Sequence, residues 1–343
     1  MTGADEALRR RWFGTRVRRL VLALIPVAVV LSAVPTASAA DQLRPVRSGS
    51  ASLPAGVPDP ARDPIRVSLS KVRPAVSRAS SDSPVVYRDG CHVRSISASR
   101  AHLCVFGDTS AKRTVVLVGD SHAAQWFPAF ERATRALHVR LVYATKSACP
   151  GPVVSVRIGS HGRACDAWRR NVYALLKRLP RIDVLVVTGS AHAALVDRRT
   201  HVAIRGSAAV AHEWAAGVRR TVAALGPSAD RIVVLRDTPE LATDSGRCLL
   251  ATGGDNRACG TAYSRAVPNP VWRAERDVAR GLATVGTADF SAAFCTSTRC
   301  RPVTRTGILR WRNRGHMSAT FAPLLAPLVR RMLAAALSGR LTD

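Results

Sequence analysis

Four short runs of the chain are apolar at every position rather than at every second one: Val115-Val116-Leu117-Val118, Leu141-Val142-Tyr143, Val184-Leu185-Val186-Val187 and Ile232-Val233-Val234-Leu235. A strand apolar on both faces must be covered on both faces, which is the signature of a parallel sheet between helices. The stretches between these runs have helical length: Ala123–Leu137, Cys165–Leu179 and Val210–Leu225. In the last of these, Val210, Trp214, Val218, Val222 and Leu225 recur at steps of three and four and build one apolar face. Ala283–Ala288 offers a fifth strand and Phe321–Leu337 a final helix, which Pro323 and Pro327 must start or kink. Strand and helix alternate, so the pattern predicts a doubly wound, three-layer α/β/α domain with a parallel sheet of about five strands. No internal repeat interrupts it.

The pattern is different before residue 86. Arg9, Arg10, Arg11, Arg16, Arg18 and Arg19 precede an apolar run from Leu20 to Val34, followed by Ala37-Ser38-Ala39. A basic flank, a short apolar core and a small-residue site are the parts of a secretory leader. The core of about 15 residues is short of the roughly 20 a membrane span needs. Residues 1–39 are therefore expected to be a signal peptide, with an uncleaved anchor as the alternative. Residues 40–85 are rich in Pro, Ser and Arg without a sustained period, and read as a linker or extended arm. The domain itself is expected over 86–340.

Eight cysteines fit an extracytoplasmic destination. Eight allow 105 pairings, of which the sequential one is the simplest: Cys91–Cys104, Cys149–Cys165, Cys248–Cys259 and Cys295–Cys300. No C-x-x-C pair occurs and no His stands at zinc-finger spacing, so a metal site is not expected.

The composition is compatible with a globular protein: 47% of 343 residues are hydrophobic, enough for a substantial core, while 23 Gly and 20 Pro exclude collagen-like chains. Charge is lopsided, with 51 Lys+Arg against 23 Asp+Glu and a net +28. Lys71, Lys112, Lys146 and Lys177 are the only lysines. The leader supplies six Arg and two acids, so most of the excess stays with the mature chain. Attraction to anionic envelope polymers is expected. Nucleic acid is not an expected partner, because no recognition motif accompanies the charge and a secreted chain would not meet it.

In an open parallel sheet, ligands sit beyond the carboxyl ends of the strands. Gly119-Asp120-Ser121-His122 occupies that place after the first strong strand. A serine there has an exposed hydroxyl, and its backbone N–H opens a helix whose dipole favours a developing oxyanion. Serine needs a base, and His316 in Arg312-Asn313-Arg314-Gly315-His316-Met317-Ser318, just before the final helix, is the candidate. Gly119-Asp120-Ser121 alone is a common turn; the strand context and His316 lift it above that reading.

Gly119-Asp120-Ser121-His122-Ala123-Ala124-Gln125-Trp126 resembles the first block of the SGNH hydrolase superfamily, and more narrowly the extracytoplasmic SGNH domain that accompanies bacterial acyltransferase-3 domains. Gly90-Cys91-His92, Ala148-Cys149-Pro150, Asp237-Thr238-Pro239 and the His316-Met317-Ser318-Ala319-Thr320 stretch extend the resemblance over roughly Asp59 to Leu337. It implies a flavodoxin-like sheet, Ser121 as nucleophile and His316 as base. Two positions depart from the pattern. The family's acid, three residues before the histidine, is Asn313 here, leaving a Ser-His dyad. The oxyanion Asn expected after the third strand is absent from Thr188-Gly189-Ser190-Ala191-His192, so the Ser121 N–H with Gly189 or Ser190 must serve. Asp120 is expected more as a loop pin than as an acid. His122 is a helix-start residue or a substrate contact. Trp311 is a core residue or a sugar platform; Trp126 and Trp168 are expected in the core. His192, His201 and His212 are expected to have no function.

These features lead to a secreted serine esterase or O-acyltransferase for small acyl, chiefly acetyl, esters of cell-envelope glycans, with no cofactor. Transfer would require a separate membrane acyltransferase as acyl donor. The alternative is an SGNH-fold domain weakened by Asn313 that binds envelope polysaccharide without catalysis.

Overall fold

A computed structural model of the chain describes residues 53–267 and 270–341. The leader expected over 1–39, and the start of the arm expected over 40–85, lie outside the described residues. The apolar runs become strands β1 (Thr114–Gly119), β2 (Arg140–Lys146), β3 (Ile182–Val187), β4 (Ala229–Leu235) and β5 (Val285–Ala288). All five are parallel, in the order β2-β1-β3-β4-β5. This is the flavodoxin-like order, and it places the point where chain direction across the sheet reverses between β1 and β3. Two short edge strands complete the sheet beside β2: Cys104–Gly107 runs antiparallel to it and His92–Val93 parallel.

Alternate strand residues feed two cores. Val115, Leu117, Leu141, Tyr143 and Val186 face one side with Trp126, Phe130 and Phe321. Val116, Val118, Val142, Leu185 and Val187 face the other, with Trp168, Val172, Trp214 and Val218. The helices follow this division: α1 (Ser121–Ala124), α2 (Phe127–Ala136) and α6 (Ala326–Leu337) cover the first face, and α3 (Gly162–Leu176), α4 (Ser207–Leu225) and α5 (Pro270–Arg280) the second. The single helix expected over Ala123–Leu137 is two, because Pro128 in the first turn of α2 lacks the N–H that would continue α1. Pro323 and Pro327 act likewise, opening a 3-10 turn (Ala322–Leu325) and then α6. The four disulfides join the cysteines in sequential pairs, closing loops of 13, 16, 11 and 5 residues. Among the described residues no helix is long and apolar enough to cross a membrane.

Residues 53–85 are not a free linker. They run as short 3-10 turns, among them Pro60–Arg62, Leu69–Lys71 and Val76–Ser81, strapped against the domain. Val72, Val76 and Ala79 pack on Leu249, Val303 and Leu309. Arg73 and the 307–309 segment exchange backbone hydrogen bonds in both directions. Asp63 and Arg310 form an ion pair at 2.6 Å with neither side chain exposed, and the guanidinium also donates to the carbonyl of Arg301. Single apolar residues spaced by short 3-10 turns bury themselves one at a time. They leave no period in the sequence, which is why the strap reads there as a linker.

Candidate active site

β1 ends at Gly119, where a Cβ would lie 2.3 Å from the carbonyl oxygen of Thr188. Only glycine lets the two central strand ends approach so closely. Asp120 then caps α1: Oδ1 accepts the His122 N–H at 2.8 Å, and Oδ2 accepts the Ser190 N–H at 2.8 Å. Asp120 is thus a clamp between the β1 and β3 loops, as a loop-pinning residue should be. Ser121, the first residue of α1, has no intrahelical acceptor for its N–H.

The Ser121 Oγ lies 2.9 Å from Nε2 of His316, 195 residues later in the chain. Three features fix the His316 loop. Trp311 and Met317 form an antiparallel bridge across its base. Met317 donates its N–H to Oε1 of Gln125 at 2.6 Å, while Nε2 of Gln125 donates to Thr238 at 2.9 Å. Asn313 Oδ1 accepts the N–H groups of Gly315 and His316, at 3.0 and 2.8 Å, and stands 3.2 Å from His316 Nδ1. Two backbone donors require this atom of Asn313 to be the oxygen, so Nδ1 carries the proton and Nε2 accepts from the serine hydroxyl. Asn313 orients the imidazole as the family's acid would, but brings no charge. His316 therefore remains neutral: burial first, then the cationic His122 and Arg312 beside it, hold its pKa down at about 3.

An imidazole–carboxylate pair stands next to this imidazole–amide pair. His122 is buried, its Nδ1 2.6 Å from Oδ1 of Asp237. Asp237 follows β4, and its Oδ2 accepts the N–H of Ala191 at 2.8 Å. Burial opposes the charge on His122, yet Asp237, Asp120 and Glu240 together overcome it and push the pKa up to about 9. The His122 and His316 rings lie 4.8 Å apart. On the rim, Glu240 bridges His192 (2.9 Å) and Arg314 (2.5 Å), tying the β3 loop to the His316 loop; these partners pull its pKa down to about 2.

Not every expected residue keeps its expected place. Trp311 is wholly buried and donates Nε1–H to the carbonyl of Pro239 at 2.7 Å, so it is a core anchor and not a sugar platform. The Ser190 N–H is spent on Asp120 and cannot also serve an oxyanion. At Gly189 a Cβ would lie 2.7 Å from Pro150, so glycine is required there for packing. His192, expected to be idle, holds Glu240 instead. Asp237, Gln125 and Glu240 were not assigned a place in the site from the sequence. An Asp just beyond the carboxyl end of a strand is the signal that could have found Asp237. Among the described residues no group of His, Cys, Asp and Glu could hold a metal ion.

The fold has known counterparts. The solved periplasmic domain of a lipopolysaccharide acetyltransferase from Salmonella ser. Paratyphi A superposes with a TM-score of 0.54 at 13% identity, over 78% of this chain and all of that one. A carbohydrate esterase family 2 enzyme with its carbohydrate-binding domain from Corynascus thermopiles (Myceliophthora fergusii) gives 0.37 at 16% identity, over 66% of this chain and 67% of that one. A carbohydrate acetylesterase family member from Sinorhizobium meliloti gives 0.37 at 13%, over 66% of this chain and 99% of that one. No curated protein sequence matches. The family model for the SGNH domain fused to AT3 domains matches residues 90–331, and the chain belongs to that family.

Proposed function

We propose that the protein is an extracytoplasmic serine esterase or O-acyltransferase that removes or moves a small acyl group, chiefly acetyl, on a cell-envelope glycan. The observation that carries this reading is the hydrogen bond between Ser121 Oγ and His316 Nε2, on an imidazole whose other nitrogen is held by Asn313. His316 takes the Ser121 proton as Oγ bonds to the acyl carbon. The carbonyl π electrons move to oxygen, which the Ser121 N–H faces at the start of α1. The tetrahedral species collapses, the bond to the sugar oxygen breaks, and His316 returns the proton to that oxygen. Water, or a second sugar hydroxyl, then attacks the acyl-serine by the same steps in reverse. A base with a pKa of about 3 is ready at every physiological pH but pulls weakly on the serine proton, so the rate should be modest.

Four disulfides support an oxidising compartment. Membership of a family fused to AT3 domains, and the acetyltransferase named for the Salmonella structure, support acetyl as the group and a separate membrane acyltransferase as donor. Asn313 favours the second reading, a polysaccharide-binding domain without turnover. Labelling of the purified protein with a fluorophosphonate probe separates the two. We expect labelling that Ser121→Ala abolishes and His316→Ala slows strongly; absence of Ser121-dependent labelling at high probe concentration would leave the binding domain as the better account.

A further inference from the structure

The His122–Asp237 pair has no part in the proton transfers above, yet it is buried beside them. A buried ion pair is costly to assemble, and the geometry here leaves it incomplete. Nδ1 of His122 is held by Asp237 at 2.6 Å, but Nε2 has no protein partner among the described residues and is not sealed from solvent. The ring belongs to the residue next to the nucleophile and lies 4.8 Å from the ring that activates it. Meanwhile the β3 loop, where the wider superfamily has its oxyanion Asn, carries no side-chain amide. Its Ser190 and Ala191 N–H groups are consumed by Asp120 and Asp237. The site thus lacks one oxyanion donor and holds one unused donor on the same strand ends.

We propose that His122 is a further catalytic residue: a cationic donor, clamped by Asp237, whose Nε2–H binds the acyl oxygen in the tetrahedral state where the superfamily uses Asn. This rests on the esterase or acyltransferase reading. The groups that face His122 set its charge: burial opposes it, while Asp237 from the segment after β4, Asp120 from its own helix cap and Glu240 favour it. His192 of the β3 loop and His316 of the last loop also face it, and His122 disfavours charge on both. The balance keeps His122 protonated up to about pH 9. A cation helps an oxyanion more than a neutral amide does, and after burial its proximity helps to keep His316 neutral.

The test is the pH–rate profile of acetyl-ester hydrolysis by the full protein and by His122→Gln, His122→Ala and Asp237→Asn, with thermal unfolding to confirm folding. Loss of one oxyanion donor costs on the order of 10²–10³ in kcat. We expect His122→Ala to lose about that factor with KM little changed, and His122→Gln to recover part of it. Wild type should lose activity above about pH 9; His122→Gln should not, and Asp237→Asn should lose it at lower pH. Folded His122 variants within threefold of wild type, with the alkaline fall intact, would overturn the assignment while leaving Ser121 catalysis standing. A rate indifferent to Ser121→Ala as well would overturn the parent reading and this one with it.

Discussion

Replacing Asn313 by Asp adds one charge at a position the structure already prepares for it. The side-chain oxygen would stay 3.2 Å from His316 Nδ1, and the N–H groups of Gly315 and His316 that now bond to the amide would stabilise the carboxylate instead. Two unit charges at that distance attract by about 5 kcal/mol at an effective dielectric of about 20. At roughly 1.4 kcal/mol per unit, this is a rise of between three and four pKa units at most. His316 would move from about 3 to an ordinary imidazole value of roughly 6–7. Two consequences follow for the pH dependence of kcat/KM on p-nitrophenyl acetate, read with Ser121→Ala as the blank. The wild-type acid limb lies below about pH 4, since only there is the base protonated; in Asn313→Asp it shifts to about 6–7. Above that pH the stronger base raises the plateau, by something under the roughly 10⁴ that the reverse exchange costs a serine-protease triad. An unmoved acid limb and an unmoved plateau, in a variant that still labels at Ser121, would refute the argument: residue 313 would then not control the histidine.

Two further outcomes concern stability. Asp63→Asn strands the fully buried Arg310 guanidinium without its counter-charge and should cost about 3–5 kcal/mol, whereas Asp63→Leu with Arg310→Met should recover most of that; urea midpoints of the single and double variants measure the coupling, and additive losses would contradict it. Glu275 is buried, accepts from Trp214 Nε1 at 2.7 Å, and burial pushes its pKa up to about 8. Between about pH 4.5 and 8 the folded state therefore holds a proton the unfolded chain has released, so stability falls as pH rises, by up to about 1.4 kcal/mol per pH unit. Glu275→Gln keeps the acceptor and should flatten that slope in urea titrations from pH 5 to 9; an unchanged slope would place its cause elsewhere.

How much of this was legible in the sequence depends on the range of the signal. Strands β1, β3 and β4 announce themselves because burial on both faces writes continuous Val and Ile runs. The turn at Ser121 and the loop at His316 are legible because each is local and adjoins a recognisable element. The strap is not, since Val72, Val76 and Ala79 are buried individually in and beside short 3-10 turns. Trp311 lies next to the His316 loop in sequence, but its indole turns inward because the carbonyl of Pro239 waits there, a partner 72 residues away. The His122–Asp237 contact spans 115 residues and exists only because the strand order sets the ends of β1 and β4 on either side of β3. Such pairings are properties of topology, not of any window of residues.

The strap also separates two meanings of a domain boundary. Family similarity begins at residue 90, yet Asp63 completes a charge pair with the residue that precedes Trp311 and the His316 loop. A fragment cut where the similarity starts would contain every residue named in the candidate site and lack the carboxylate that neutralises Arg310. Arg310 would then have to recruit water or shift, and the bridge from Trp311 to Met317 that carries His316 sits on that segment. For this chain the packed structure begins upstream of the matched region. A shortened preparation that failed to turn over would report on a missing support some thirty residues upstream of the family boundary, not on the chemistry.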